Sequence, residues 1–186
     1  SEFMTETGDL GKLAQMLDSM ANTILKRNNQ LTLLSKVIPI GVSLSAEKDF
    51  NRLLESLVEE ARTFTNADAG SLYLVEDDKL RFVISRNTSL KMHMGGTSGT
   101  PITFVPVRMY NEDGSENRAN IVSYAALTRQ RINIADAYEA EGFDFSGTKA
   151  FDENTRYRSK SFLTIPLETK EGKVMGVLQL INATDP

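Results

Sequence analysis

Two apolar runs near the C-terminus, SFLTIPL (Ser161–Leu167) and VMGVLQLIN (Val174–Asn182), are separated only by the charged turn ETKEGK. Each run is strand-length, rich in β-branched and other apolar residues, and bounded by turn residues, so the pair reads as an antiparallel hairpin with buried faces. A chain that closes on such a hairpin must supply further strands to pair with it and helices to cover it. The upstream sequence contains both. Ser71–Val75 and Leu80–Arg86 form an expected second hairpin about the turn Glu76–Lys79, Ile102–Val107 reads as a third strand, and Arg131–Ile134 as a brief one. Between them, Asn87–Pro101 is polar and glycine-rich and reads as a long mobile loop holding the single histidine, His93, which is expected to be solvated. Asn111–Asn117 is a turn, Ala119–Thr128 a short helix, Ala137–Ala150 irregular or weakly helical, and Phe151–Thr155 one helical turn.

Two helical patterns precede the strands. Leu10, Leu17, Ile24, Leu31 and Ile38 share one heptad position; Leu13, Met20, Arg27 and Leu34 share the other. Apart from Arg27 the seam is apolar, which suits either a helix packed on its own domain or a dimeric coiled coil or bundle. Pro39 and Gly41 break or kink this segment. Ser45 then reads as the N-cap of a second helix whose stripe Phe50, Leu53, Leu54, Leu57, Val58, Ala61 and Phe64 should pack on a sheet. The expected domains are residues 1–3 as a cloning remnant ahead of Met4, 4–41 as a helical dimerisation segment, and 42–186 as one globular domain. The expected fold class is α+β: a single antiparallel sheet with helices packed on its faces, preceded by a long N-terminal helix.

Composition removes several function classes. There is no cysteine among the 186 residues, which excludes disulfides, thiolate metal sites and thiol nucleophiles, and one histidine leaves no His pair for a metal. A net charge of −4 implies no general polyanion-binding surface, so no nucleic-acid partner is expected. No apolar run approaches the roughly 20 residues needed to span a bilayer, and no charged-then-apolar leader is present; a cytoplasmic location without membrane attachment is expected.

Taken in order, ADAGSLYLVED, KLRFVISRN, NIVSYAALTRQRINIADAY, TRYRSKSFLTIPL and GKVMGVLQLIN resemble the successive elements of a GAF domain, a small-molecule sensor fold, over roughly Phe50–Asn182. The sequence is similar to the GAF domains found beside cyclic-nucleotide phosphodiesterases, adenylate cyclases and HD-type phosphohydrolases. The resemblance implies a pocket between the sheet and the short helices of one face. Matched position by position, it implies ligand contacts from Ser71 on the first strand, Ser85 and Arg86 at the end of the second, the Ile121 and Val122 amides at a helix N-terminus, Thr155, and Gln179 on the last strand. Tyr73, Phe104 and Asp136 are further candidates, each with a structural reading beside the functional one: core packing for the aromatics, a turn or helix cap for Asp136. Asp152, with Lys160 or Arg158, is expected to form a structural ion pair that locks a lid segment over the sheet. The run Thr155–Lys160 is basic enough to meet an anion.

The pattern also departs from the family. The GIAG turn that brings a phosphate close is here Asn120-Ile121-Val122-Ser123, and Arg86 stands where recognition of a base calls for an acceptor. Asn133, Phe151, Asp152 and Glu153 match the cyclic-nucleotide signature only in part, since no lysine follows Asn133. A cyclic nucleotide is therefore one candidate ligand, and no cofactor or metal is assigned. Two readings follow. One is a non-catalytic sensor domain that binds a small molecule and signals, through a homodimer of N-terminal helices, to a C-terminal output domain outside this chain. The other is a dimerisation or interaction module with a degenerate pocket. Enzymatic readings find no support: the thiol chemistry of methionine sulfoxide reduction lacks its cysteines, and the adjacent Asp152 and Glu153 diverge in direction.

Overall fold

The structure, a computed structural model, describes residues 40–184. The heptad Leu10–Ile38 and the expected cloning remnant lie outside the described residues. The elements, in chain order, are α1 (Ile40–Thr65), β1 (Ala67–Glu76), β2 (Lys79–Asn87), β3 (Met92–Gly95), β4 (Val107–Arg108), α2 (Ile121–Thr128), β5 (Ile132–Ile134), α3 (Ser146–Thr155), β6 (Phe162–Glu168) and β7 (Val174–Ala183). One seven-stranded sheet runs in the order β3-β2-β1-β7-β6-β5, with β4 paired to β2, and each pairing is antiparallel. The expected α+β architecture is present, and the C-terminal hairpin β6–β7 sits inside the sheet, which is why both of its faces are apolar.

The sheet separates two cores. On one face Leu54, Leu57, Val58 and Ala61 of α1 pack on Leu72, Ile84, Ile165, Leu167, Leu178 and Leu180. Each fully buried aliphatic chain contributes roughly 1.5–3 kcal/mol. On the other face Tyr73, Leu80, Phe162 and Val177 meet Ile121, Val122, Ala125 and Ala126 of α2, together with Ala137 and Phe145. The expected stripe on α1 holds up to Ala61, whereas Phe64 is half exposed.

Several local expectations are corrected. Ser45 is interior to α1, not its cap, because the helix already begins at Ile40 and runs through Gly41; one glycine costs a helix only about 1 kcal/mol. The expected strand Ile102–Val107 is irregular except for its last residue, since Pro101 and Pro106 lack a ladder donor and restrict the residue before them. The edge strand is instead β3, inside the segment read as a mobile loop: Arg86 pairs with His93 and Ile84 with Gly95. His93 is exposed, as expected, but on a strand. The expected turn at Phe151–Thr155 is the end of the longer helix α3.

One irregularity governs the site. Along β1 and β2, Leu72 pairs with Ile84 but Tyr73 pairs with Phe82, so Val83 is an extra residue on β2. This bulge reverses which face each following side chain takes. Leu80 and Phe82 pack with the α2-side core; beyond the bulge, Ile84 packs with α1.

Candidate functional site

The α2-side core encloses a cavity of about 650 Å³. Its floor is the sheet, with Ser71 and Tyr73 from β1, Phe82, Ser85 and Asn87 from β2, and Gln179 and Ile181 from β7. Its walls are the N-terminal turns of α2 and α3 and the proline-flanked segment carrying Phe104 and Val105. That volume suits a metabolite-sized ligand. An aromatic ladder crosses it: Tyr73–Phe82, Phe82–Phe104 and Phe104–Phe151 have ring centroids 4.2, 5.1 and 6.2 Å apart.

Ser71, Tyr73, Ser85, Phe104, Ile121, Val122 and Gln179 therefore converge on one cavity, as their positions in the sequence suggested. The Ser71 and Ser85 hydroxyls lie 3.3 Å apart on paired positions of β1 and β2. The Tyr73 hydroxyl donates to Gln179 Oε1 at 3.3 Å, and Gln179 Nε2 donates to Thr164 Oγ1 at 3.2 Å. Burial raises the Tyr73 phenol well above its ordinary range, so it is neutral at physiological pH.

Two expectations are corrected. Arg86 borders the cavity, but its guanidinium is committed to the α1 side of the sheet. Nη2 reaches Glu55 Oε1 at 3.0 Å, Nε lies 3.7 Å from Glu59 Oε1, and Nη1 donates to the carbonyls of Ser85 and Met94. The bulge at Val83 is the cause: it puts Ser85 and Asn87 on the cavity face and Arg86 on the other. Thr155 does not line the cavity; its hydroxyl donates back to the Phe151 carbonyl at 2.7 Å within α3. Asp136 does not line it either and takes the structural one of its two readings, a turn cap: its Oδ1 accepts from the Tyr138 N–H and from Arg158.

The expected Asp152–Lys160 pair is also replaced. Among the described residues Asp152 makes no ion pair; buried, it accepts from Ser159 N at 2.8 Å, Ser159 Oγ at 2.7 Å and Tyr138 Oη at 3.0 Å. The ion pair of this segment is Arg158–Asp136, at 2.7 Å, with the guanidinium stacked 3.6 Å over the Tyr138 ring. The segment is thus clasped over the sheet by two linked carboxylates. Replacing Asp152 by Ala strands three donors, two of them on a buried residue, and is expected to lower stability by about 2–3 kcal/mol, read as a shift of the urea midpoint at constant slope.

Asp136 adds a pH signature. The Arg158 hydrogen bond, then the Tyr138 N–H, hold its carboxyl below the usual range. A depressed folded value means that the stabilisation is present above the unfolded value of about 3.9 and fades as pH falls through the folded one. In Arg158→Gln, the Asp136 carboxyl is expected to titrate at a higher pH than in the parent, as followed by carbon-detected NMR.

Sequence reasoning missed Asn120, Asp144 and Tyr157. Asn120 Oδ1 accepts from Val122 N at 2.9 Å and Ser123 N at 3.2 Å, capping α2 at the cavity wall. Asp144, one residue ahead of the N-cap position Phe145 of α3, accepts from Ser146 N at 2.8 Å through Oδ1. Tyr157 lines the cavity and donates to Asp68 Oδ2 at 2.6 Å while accepting from Asn182 Nδ2 at 3.0 Å. An Asn directly ahead of IVSYAAL is a legible N-cap signal; the Tyr157 contacts span strands distant in sequence and leave no local mark.

The GAF domain model matches residues 49–186. Among curated relatives, the chain is 27% identical over 146 residues to the cGMP-specific 3′,5′-cyclic phosphodiesterase of Drosophila melanogaster, covering 75% of this chain and 12% of that protein. It is 26% identical over 158 residues to the dual 3′,5′-cyclic-AMP and -GMP phosphodiesterase 11A of Takifugu rubripes, covering 85% and 16% respectively. The chain thus spans a small fraction of these relatives' length. Among solved structures, the A. aeolicus nlh2 GAF domain in an inactive state superposes with a TM-score of 0.50 at 10% identity, covering 91% of this chain and 83% of that one, a likeness of fold.

Proposed function

The chain belongs to the GAF domain family, regulatory small-molecule sensor domains of signalling proteins, and from that premise we propose that its cavity binds a ligand whose occupancy is read out through α1. The observation that carries this reading is the division of labour on β2. Ser85 lines the cavity, and the next residue, Arg86, grips Glu55 on the opposite face. A ligand that moves β2 at Ser85 therefore moves the anchor of α1, and it regulates to the extent that it binds the two arrangements with different affinity. In the same proposal the domain is non-catalytic and cytoplasmic, residues 4–41 form the dimer seam, and an output domain outside this chain receives the signal.

A screen of small metabolites, including the cyclic nucleotides named for the phosphodiesterase relatives, tests the reading. A ligand is expected to raise Tm by mass action and to slow amide exchange in residues 138–160 and in α1. Stabilisation without any change in α1 would sink the readout. The capping of α2 by Asn120 favours the second reading, a dimerisation module with a degenerate pocket; a dimer that responds to no metabolite would establish it.

A further inference from the structure

We infer that the cavity selects an uncharged aromatic ligand and discriminates against one bearing a phosphate, an inference that rests on the sensor reading above. The argument starts from charge. Of the described residues lining the cavity, Arg86 carries the sole positive charge, and that charge is on the far side of the sheet, paired with Glu55 and Glu59. The basic run Thr155–Lys160 does not supply a replacement. Arg158 is bound to Asp136, and neither it, Arg156 nor Lys160 lines the cavity.

Helix N-termini are the other source of positive potential, since their first amides lack intrahelical partners. Among the described residues two open on this cavity, and in each the chain's own oxygens already take part of the amide set: Val122 and Ser123 at α2, Ser146 at α3. Asn120 Oδ1 occupies the Val122 and Ser123 amides of α2, and Val122 is one of the two, with Ile121, that the family resemblance offered to a phosphate. At α3 the oxygen belongs to a carboxylate, Asp144, whose bonds to Ser146 keep its carboxyl below the usual range and so fully ionised at neutral pH. A phosphate entering there meets a like charge, one partly screened because Asp144 is exposed to solvent.

What the cavity does offer is a ring-binding surface. The ladder Tyr73–Phe82–Phe104–Phe151 gives offset and edge contacts to a planar ligand. The Ser71 and Ser85 hydroxyls, 3.3 Å apart, keep donor and acceptor capacity for its polar edge. Neutral hydrogen-bonding groups on an aromatic wall fit a heteroaromatic base, a nucleoside or an indole-like metabolite.

The test uses matched pairs that differ in the anionic group: guanosine against cyclic GMP, adenosine against cyclic AMP, and indole against indoxyl sulfate. Each is titrated at up to millimolar concentration into the isotopically labelled full chain, with the amides of Ser71, Ser85 and Thr148 as reporters. At least one neutral member is expected to bind, about tenfold or more tighter than its charged partner. In Asn120→Gly combined with Asp144→Asn, the gap is expected to narrow, because two amides are released and the like charge is removed; glycine is itself well tolerated at an N-cap, so α2 should persist. A cyclic nucleotide that binds the parent chain as tightly as its nucleoside overturns the ligand class while the sensor reading stands. A gap that the double variant leaves unchanged overturns the role given to Asn120 and Asp144. If no probe moves a cavity amide, the ligand class is overturned, and the sensor reading is decided separately by the metabolite screen above.

Discussion

Replacing Glu55 by Ala is expected to lower the stability of the domain by about 3 kcal/mol, at the lower end of what breaking a buried ion pair costs. Arg86 is 4% exposed and pairs with Glu55 at 3.0 Å. Glu59, at 3.7 Å and more open to solvent, compensates in part. The same Glu55 carboxylate accepts from the Thr97 N–H at 2.6 Å and from its hydroxyl, and the Gly96 backbone lies so close that a Cβ there would sit 2.3 Å from Glu55 Oε1. One side chain therefore ties α1 to β2 and to the turn after β3. The diagnostic comparison is with Arg86→Met and with the double variant. Removing both charges leaves no buried unpaired cation, so the double variant should be more stable than Glu55→Ala alone. Urea unfolding of the four proteins measures the coupling; a double variant as unstable as the sum of the singles would show that the pair does not act as a unit.

Gly176→Ala is expected to destabilise by about 3 kcal/mol, or roughly 10 °C in Tm for a domain of this size. Gly176 faces Leu74 across the β1–β7 pairing, and a Cβ there would lie 2.2 Å from the Tyr73 carbonyl oxygen. Backbone cannot move aside as a flexible side chain can, so the central strands must part. The damage should reach the cavity, because Tyr73 and Gln179 on those strands share a hydrogen bond on its floor. Near-native stability in the alanine variant would mean that β1 and β7 yield at this point.

Much of the site was legible because its residues sit on short, strongly patterned elements. Ser71, Tyr73 and Gln179 alternate with the buried Leu72, Leu178 and Leu180, and period-two alternation places them together on the face opposite α1. Ile121 and Val122 were legible as the start of an apolar helix. Asp152 shows where such reading stops. A charged residue in a basic run invites an ionic partner, but the fold brings Ser159 and Tyr138 within reach and turns Arg158 towards Asp136.

The sequence by itself determined the family, the antiparallel sheet with its apolar central hairpin, and the absence of thiol chemistry, because each follows from residue type and local period. Tertiary structure alone decided which way the chemistry faces. No local pattern announces the extra residue at Val83, yet it exchanges the faces of Ser85 and Arg86 and moves the cavity's nearest cation to the other side of the sheet. Side-chain direction in a strand has a period of two, so a single inserted residue reverses everything after it, and only the pairing partner reveals the insertion.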